Sequence, residues 1–270
     1  MAKNKKARFA SVIFSLLLAL IVWAIYGIIS ADIGVTSFWG FGIGASIAAF
    51  FIFIMMGRIF GYWRALLATL GIIGVIWFAM LLNAQRSWPF GMVIFHDILG
   101  WQWQKVPWPL PIFWSAIIGG LLILKKPGLA LNDPKILFGW AFDTALLTMI
   151  LSLIIEPIAR TFGLVTWLVQ GAILGVPLSA FLGWFITAFI AAFAGMMILR
   201  PWNKPIDTDI HKFLPIIFVG FCGLIFIIAT KQNIALVQIL SGIYIIIFLL
   251  WTLRIGRKQD PNLIVTESTE

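Results

Sequence analysis

Apolar residues in this chain come in long unbroken runs parted by short polar stretches. Runs of about 17 to 25 mostly apolar residues are read as helices that cross a membrane. Eight stand out: Phe9 to Ile29, Thr36 to Met56, Ala65 to Leu82, Leu110 to Leu124, Ile136 to Ile158, Leu178 to Leu199, Phe213 to Ala229 and Ile234 to Leu253. The fourth is short and begins among prolines. The last two are separated only by Thr230, Lys231, Gln232 and Asn233, which predicts a tight antiparallel hairpin. Seven spans is the alternative count. A β-barrel is excluded, because its strands are segments of about ten residues with alternating hydrophobicity. The expected fold is therefore all-α: one polytopic transmembrane helical bundle over residues 1–258, followed by a polar, mobile tail over 259–270.

Composition agrees. Hydrophobic residues make up 62% of the 270 and charged residues 11%, whereas a soluble domain carries about 25% charged residues. The 24 Phe, 14 Trp, 24 Gly and 12 Pro are of kinds that bilayer helices tolerate. Disordered, collagen-like and nucleic-acid-binding classes are excluded. The N-terminal Met-Ala-Lys-Asn-Lys-Lys-Ala-Arg followed by an apolar stretch resembles a signal peptide, but the stretch is long enough to span and lacks a clear small-residue cleavage site, so a retained first span is expected.

The net charge of +9 reflects orientation more simply than an acidic partner. With eight spans, one side receives fifteen basic residues: Lys3, Lys5, Lys6, Arg8, Arg58, Arg64, Lys125, Lys126, Lys135, Arg200, Lys204, Lys212, Arg254, Arg257 and Lys258. The other side receives four, Arg86, Lys105, Arg160 and Lys231. The excess predicts a multi-pass protein of the cell membrane with both termini cytoplasmic. Cys222, the only cysteine, can form no intrachain disulfide.

Ionisable groups at membrane depth are costly and mark candidate sites. Asp143 and Glu156 both fall in the fifth span, thirteen residues and so about 20 Å apart, which rules out a direct carboxylate pair. A structural role near the cytoplasmic interface, for instance facing Lys135, accounts for Asp143. For Glu156 the simplest account is an interfacial pair with Arg160 one helical turn on. The stretch from Asn83 to Pro111, read as a loop, holds Arg86, His96, Asp97, Lys105 and four tryptophans, Trp88, Trp101, Trp103 and Trp108. Tryptophan at this density first signals an interfacial belt, and a His-Asp dipeptide is most simply a solvated pair.

Several chemistries lack their residues. No lysine lies inside a late span to form a retinal Schiff base, and Asn132-Asp133 stands alone where prenyltransferases carry two aspartate-rich loops. A P-loop, a dinucleotide fingerprint, a His cluster and Cys/His metal spacing are all missing from the sequence. No metal or other cofactor is expected. Gly71, Gly74, Gly220 and Gly223 are read as helix-packing positions.

Two groups of segments, however, share an order and spacing. The first is Trp88-Pro-Phe-Gly-Met-Val-Ile-Phe-His-Asp97-Ile-Leu-Gly100, then Val106-Pro107 and Pro111-Ile-Phe-Trp114. The second is Glu156-Pro157-Ile158-Ala159, then Trp167 and Gly175-Val-Pro-Leu-Ser-Ala-Phe-Leu-Gly-Trp-Phe185. Over roughly the middle half of the chain they resemble the membrane carotenoid-biosynthesis family that includes the carotenoid 1,2-hydratases. The family's segments read Pro-Phe-Gly, an aromatic, Thr-Asp and Leu-Gly before Val-Pro, and later Glu-Pro-Val-Ala and Gly-Val-Pro-Leu-Ser-Asn-Phe-Leu-Gly-Trp. Met80 stands where the family carries a Glu, Ser152 where it carries an Asp, Ala180 where it carries an Asn, and His96 where it carries the Thr.

The resemblance implies a cofactor-free hydratase, of the lyase class, adding water to the terminal double bond of an acyclic carotenoid end. Protonation of the less substituted carbon gives a tertiary cation that water captures, which needs an acid protonated at neutral pH. Glu156 is the implied acid, Asp97 the group that orients water or shields the cation, and His96 a second base. Trp88, Phe90, Trp101, Trp114, Trp167, Phe181 and Trp184 are the implied lining of the polyene slot, with ring faces able to stabilise a cation. Topology alone puts Glu156 and the Asp97 loop on one side of the membrane. The expected partners are the lipid bilayer and a carotenoid or other long isoprenoid, with a homo-oligomer or other pathway enzymes left open. Two alternatives stand beside the hydratase: a non-catalytic carotenoid-binding or pathway-assembly protein, and a transporter, ranked last for want of an inverted repeat or polar residues to line a path.

Overall fold

The computed structural model describes residues 37–124, 133–200 and 208–257. The expected first span, Phe9 to Ile29, and the tail over 259–270 lie outside these residues. The chain is an all-α polytopic membrane protein. Among the described residues seven helices follow in order: α1 (Ser37–Phe60), α2 (Tyr62–Arg86), α3 (Pro109–Leu124), α4 (Pro134–Thr161), α5 (Leu178–Leu199), α6 (Thr208–Lys231) and α7 (Ala235–Arg257). All but α3 are long and apolar enough to cross a bilayer. The helix α3, the expected fourth span, has 16 residues, about 24 Å of rise. Its Pro109 and Pro111 fall in the first turn, where a missing N–H costs nothing.

Residues 1–205 and 206–270 fall into two compact units. In the first, α1 and α2 are joined through Gly61 alone, whose φ of +91° a side chain would disfavour. The helix α2 buries one stripe at three- and four-residue spacing: Ala65, Ala68, Ile72, Ile76, Met80 and Asn83. It runs to Arg86, a turn beyond the apolar run, so Asn83 is helical rather than the start of a loop. The helix α3 is apolar on every side and is buried from Trp114 to Leu124 without a break, as a central helix should be. Ile52 of α1 closes on Gly119 of α3, where an added Cβ would lie 3.0 Å from its methyl.

At its start α4 is capped by Asp133, whose side chain accepts the Lys135 N–H at 2.9 Å, with Pro134 in the first helical turn. It contacts α5 through Phe138 with Phe189 and Phe142 with Phe185, so the two helices run antiparallel. Of the glycines read as packing positions, Gly71 has Ile198 3.3 Å from where a Cβ would sit, while Gly74 and Gly223 face open space.

Short strands tie two connections together at one end of this unit. β1 (Val93–Phe95), between α2 and α3, pairs antiparallel with β4 (Val165–Trp167), between α4 and α5. β2 (Gln102–Trp103) and β3 (Val106–Pro107) form a hairpin whose turn residues Gln104 and Lys105 both have positive φ, the geometry of a type I′ turn. The Asp97 loop and the Glu156 end of α4 therefore share one end of the bundle.

In the second unit α6 and α7 form the expected hairpin. Gln238 Nε2 donates to the Ala229 carbonyl at 3.2 Å, and Phe218 stacks on Phe248 at 5.0 Å. Cys222 is buried.

Candidate functional site

One face of α4 carries polar side chains at four-residue steps: Thr144, Thr148, Ser152 and Glu156, all buried. Two of the hydroxyls turn back onto their own helix, Thr148 to the Thr144 carbonyl at 2.8 Å and Ser152 to the Met149 carbonyl at 2.6 Å. A carboxyl group has no such recourse, and burying it unbonded is costly. Glu156, 7% exposed, is met from the neighbouring helix: Trp184 Nε1 of α5 donates to its Oε1 at 2.6 Å. Arg160, the expected partner, instead donates from Nη1 to the Leu174 carbonyl at 2.9 Å and lies against Gly175.

The Trp184 ring belongs to an aromatic cluster. Trp114 of α3 stacks on it with centroids 3.7 Å apart and 25° between planes, and the Phe90 ring lies 4.7 Å from it, tilted by 47°. Phe113 meets Trp114 edge to face at 5.6 Å. The loop carrying Phe90 and the helices α3, α4 and α5 thus meet at the Trp184 ring, which holds the carboxyl group.

Phe90 is held by both neighbouring helices. Asn83 Oδ1, from α2, accepts the Phe90 N–H at 2.9 Å and the Gly91 N–H at 3.1 Å, and its Nδ2 donates to the Gly91 carbonyl at 2.9 Å. Ser179 Oγ, from α5, donates to the Phe90 carbonyl at 2.9 Å. Gly183 supplies the seat: a Cβ there would lie 2.6 Å from the Phe90 ring and 2.9 Å from the Pro89 carbonyl. The Pro-Phe-Gly segment and the Leu-Ser-Ala-Phe-Leu-Gly-Trp segment therefore meet in space, through Ser179, Gly183 and Trp184.

The other candidate residues are distributed around this centre. Phe181 and Trp167 are buried, and the Trp167 indole N–H has no hydrogen-bond partner among the described residues. Trp88 and Trp101 are 55% and 69% exposed, on the outside of the strand-bearing end rather than in the cluster. His96 Nε2 bonds Thr166 Oγ1 at 2.7 Å, and Asp97, exposed, accepts from Gln102 Nε2 at 3.2 Å. His96 and Asp97 thus have separate partners on the loops, while Glu156 is bonded to Trp184 inside the bundle. Met80, Ser152 and Ala180 are fully enclosed. Among the described residues no three His, Cys, Asp or Glu side chains gather as a metal site requires.

A family model described as carotenoid biosynthesis protein matches residues 37–250. The chain belongs to that family. No curated protein and no solved structure matches it. A role in carotenoid biosynthesis follows, and the Glu156 cluster lies well inside the matched region of this carotenoid biosynthesis protein. Asn83, Ser179 and Gly183 are the site residues that motif reading passed over. Asn83 had a signal: it continues the stripe of Ile76 and Met80 at the next three-residue step, an amide on an otherwise apolar face.

Proposed function

We propose that this carotenoid biosynthesis protein hydrates the terminal double bond of an acyclic carotenoid end, with Glu156 as the acid. The observation that carries this is the Trp184 bond to Glu156 beside the Trp114–Trp184–Phe90 rings. An indole nitrogen only donates, so Oε1 is the accepting oxygen and Oε2 is left as the oxygen to carry the acid's proton in this reading. In the reaction, the alkene π pair takes that proton at the less substituted carbon, leaving a tertiary cation and a carboxylate. Water forms the C–O bond to the cation and returns a proton to the carboxylate, so the sum is alkene plus water giving a tertiary alcohol. Aromatic faces beside the cation stabilise it through their quadrupoles. Asp97 is the group to orient the water or shield the cation and His96 a second base, both at the loop end, for which the excess of basic residues on the opposite side supports a non-cytoplasmic position.

Expression in a host that makes lycopene tests the proposal. The expected result is pigment heavier by one water, absent with Glu156→Gln. A second reading, a non-catalytic carotenoid-binding protein, is favoured by one observation: with Met80, Ser152 and Ala180 in place, Glu156 has no second buried carboxyl group among the described residues. Pigment that copurifies unchanged supports that reading and overturns the first.

A further inference from the structure

Asn83 is the one buried amide on the α2 stripe, and all three of its bonds go to two consecutive residues of the loop. Its oxygen takes both N–H groups of Phe90 and Gly91, while its nitrogen serves the Gly91 carbonyl. Ser179 takes the remaining Phe90 carbonyl from α5. Every backbone polar group of Phe90 is thus bound by a side chain, which fixes the residue from two helices at once. Gly91 has a φ of +104°, and a Cβ there would meet Ser179 Oγ at 2.7 Å, so the clamp also depends on the loop having glycine at this point. What the clamp holds is the Phe90 ring, 4.7 Å from the ring of Trp184, and Trp184 is the donor to Glu156.

We infer that Asn83 is a positioning residue that sets the orientation of the Glu156 carboxyl through Phe90 and Trp184. The inference rests on the hydratase reading for its functional consequence, but its structural part does not. The side-chain hydrogen bonds of Asn83 go to Phe90 and Gly91, not to the carboxyl or the stacked indoles. Its effect is mechanical: a loop released from α2 lets the Phe90 ring withdraw, and Trp184 loses the surface that holds its N–H on Oε1. Small misplacements of an acid relative to its substrate lower rates steeply, about 100-fold for 1 Å.

The test uses full-length protein purified from a lycopene-making host. Asn83→Leu removes all three bonds; Asn83→Asp keeps the acceptor for both N–H groups; Ser179→Ala releases only the Phe90 carbonyl, from the opposite helix. Hydrated product per folded molecule is expected to fall about 100-fold with Asn83→Leu and less with the other two. Combining Asn83→Leu with Trp184→Phe should give no further loss beyond Trp184→Phe alone, since residues acting through one another are non-additive. A second readout needs no activity. The stacked Trp114–Trp184 pair is expected to give an exciton couplet in far-ultraviolet circular dichroism, identified as the signal that Trp184→Phe removes, and Asn83→Leu or Ser179→Ala should diminish it. A folded Asn83→Leu with the couplet intact overturns the inference, as does loss of product that multiplies with that of Trp184→Phe. If the wild type makes no hydrated product, the hydratase reading fails and the couplet alone decides the clamp; if Asn83→Leu fails to fold, Ser179→Ala decides it by the same measurement.

Discussion

Trp184 donates its indole N–H to Glu156 at 2.6 Å across the α4–α5 interface. The direction of this bond cannot reverse, because the indole has a proton to give and no lone pair to accept with. The bond is therefore compatible with either protonation state of the other carboxyl oxygen, as the hydratase reading requires.

Glu156→Gln keeps a carbonyl oxygen for Trp184 and nearly the same shape, but supplies no acidic proton. Hydrated product should fall by about 10²- to 10⁴-fold with thermal stability in detergent close to wild type. Product at wild-type level would refute Glu156 as the acid and shift suspicion to Asp97 or His96.

Trp184→Phe leaves the acid and an aromatic ring but strips the donor from a buried acceptor, a loss of about 1–3 kcal/mol. The melting temperature in detergent should drop, and turnover should fall by about 100-fold as the carboxyl loses the donor that holds it in place. An unchanged melting temperature would mean that water replaces the indole.

Gly183→Ala places a methyl 2.6 Å from the Phe90 ring and 2.9 Å from the Pro89 carbonyl. Overpacking of this kind costs about 1–3 kcal/mol, so the variant should accumulate less folded protein and unfold at lower temperature, and Gly183→Val more so. A Gly183→Ala protein as stable as wild type would show that the loop moves aside freely.

Ser152→Asp with Met80→Glu restores two carboxylic acids on the faces of α4 and α2 that are now fully enclosed. Under the hydratase reading the double variant should give more hydrated product per folded molecule than the wild type, as each positioned acid or base typically contributes about 10²- to 10⁴-fold. If neither protein makes any, while both fold and bind pigment, the binding reading takes its place.

Reporter fusions after Lys126 and after Lys231 should report opposite sides of the membrane, the first cytoplasmic. The expectation comes from the fifteen-to-four division of basic residues. The same side for both would break the proposed orientation.

The helices were legible because a bilayer demands continuous apolar length: α5 spans Leu178–Leu199, the bounds its apolar run gives. Ends were less legible, since helical hydrogen bonding in α2 continues past the apolar run to Arg86, and this hid Asn83 in a supposed loop. The carboxyl was legible as the costly group at membrane depth, but its partner was not. Arg160 sits one turn away along the helix, whereas Trp184 is 28 residues on, and only packing decides between them. Strands of two or three residues, with β1 paired to a segment about 70 positions later, leave no local pattern to read.

Ser179 reaches Phe90 across 89 positions of sequence, and Thr166 reaches His96 across 70. During synthesis the Asn83–Gly91 clamp can close soon after α2 emerges. The seat at Gly183 and the donor for Glu156 arrive only with α5. A chain released at the α4–α5 connection would hold the loop by its α2 clamp alone and a buried acid without its donor, so the centre is complete only once α5 has been made.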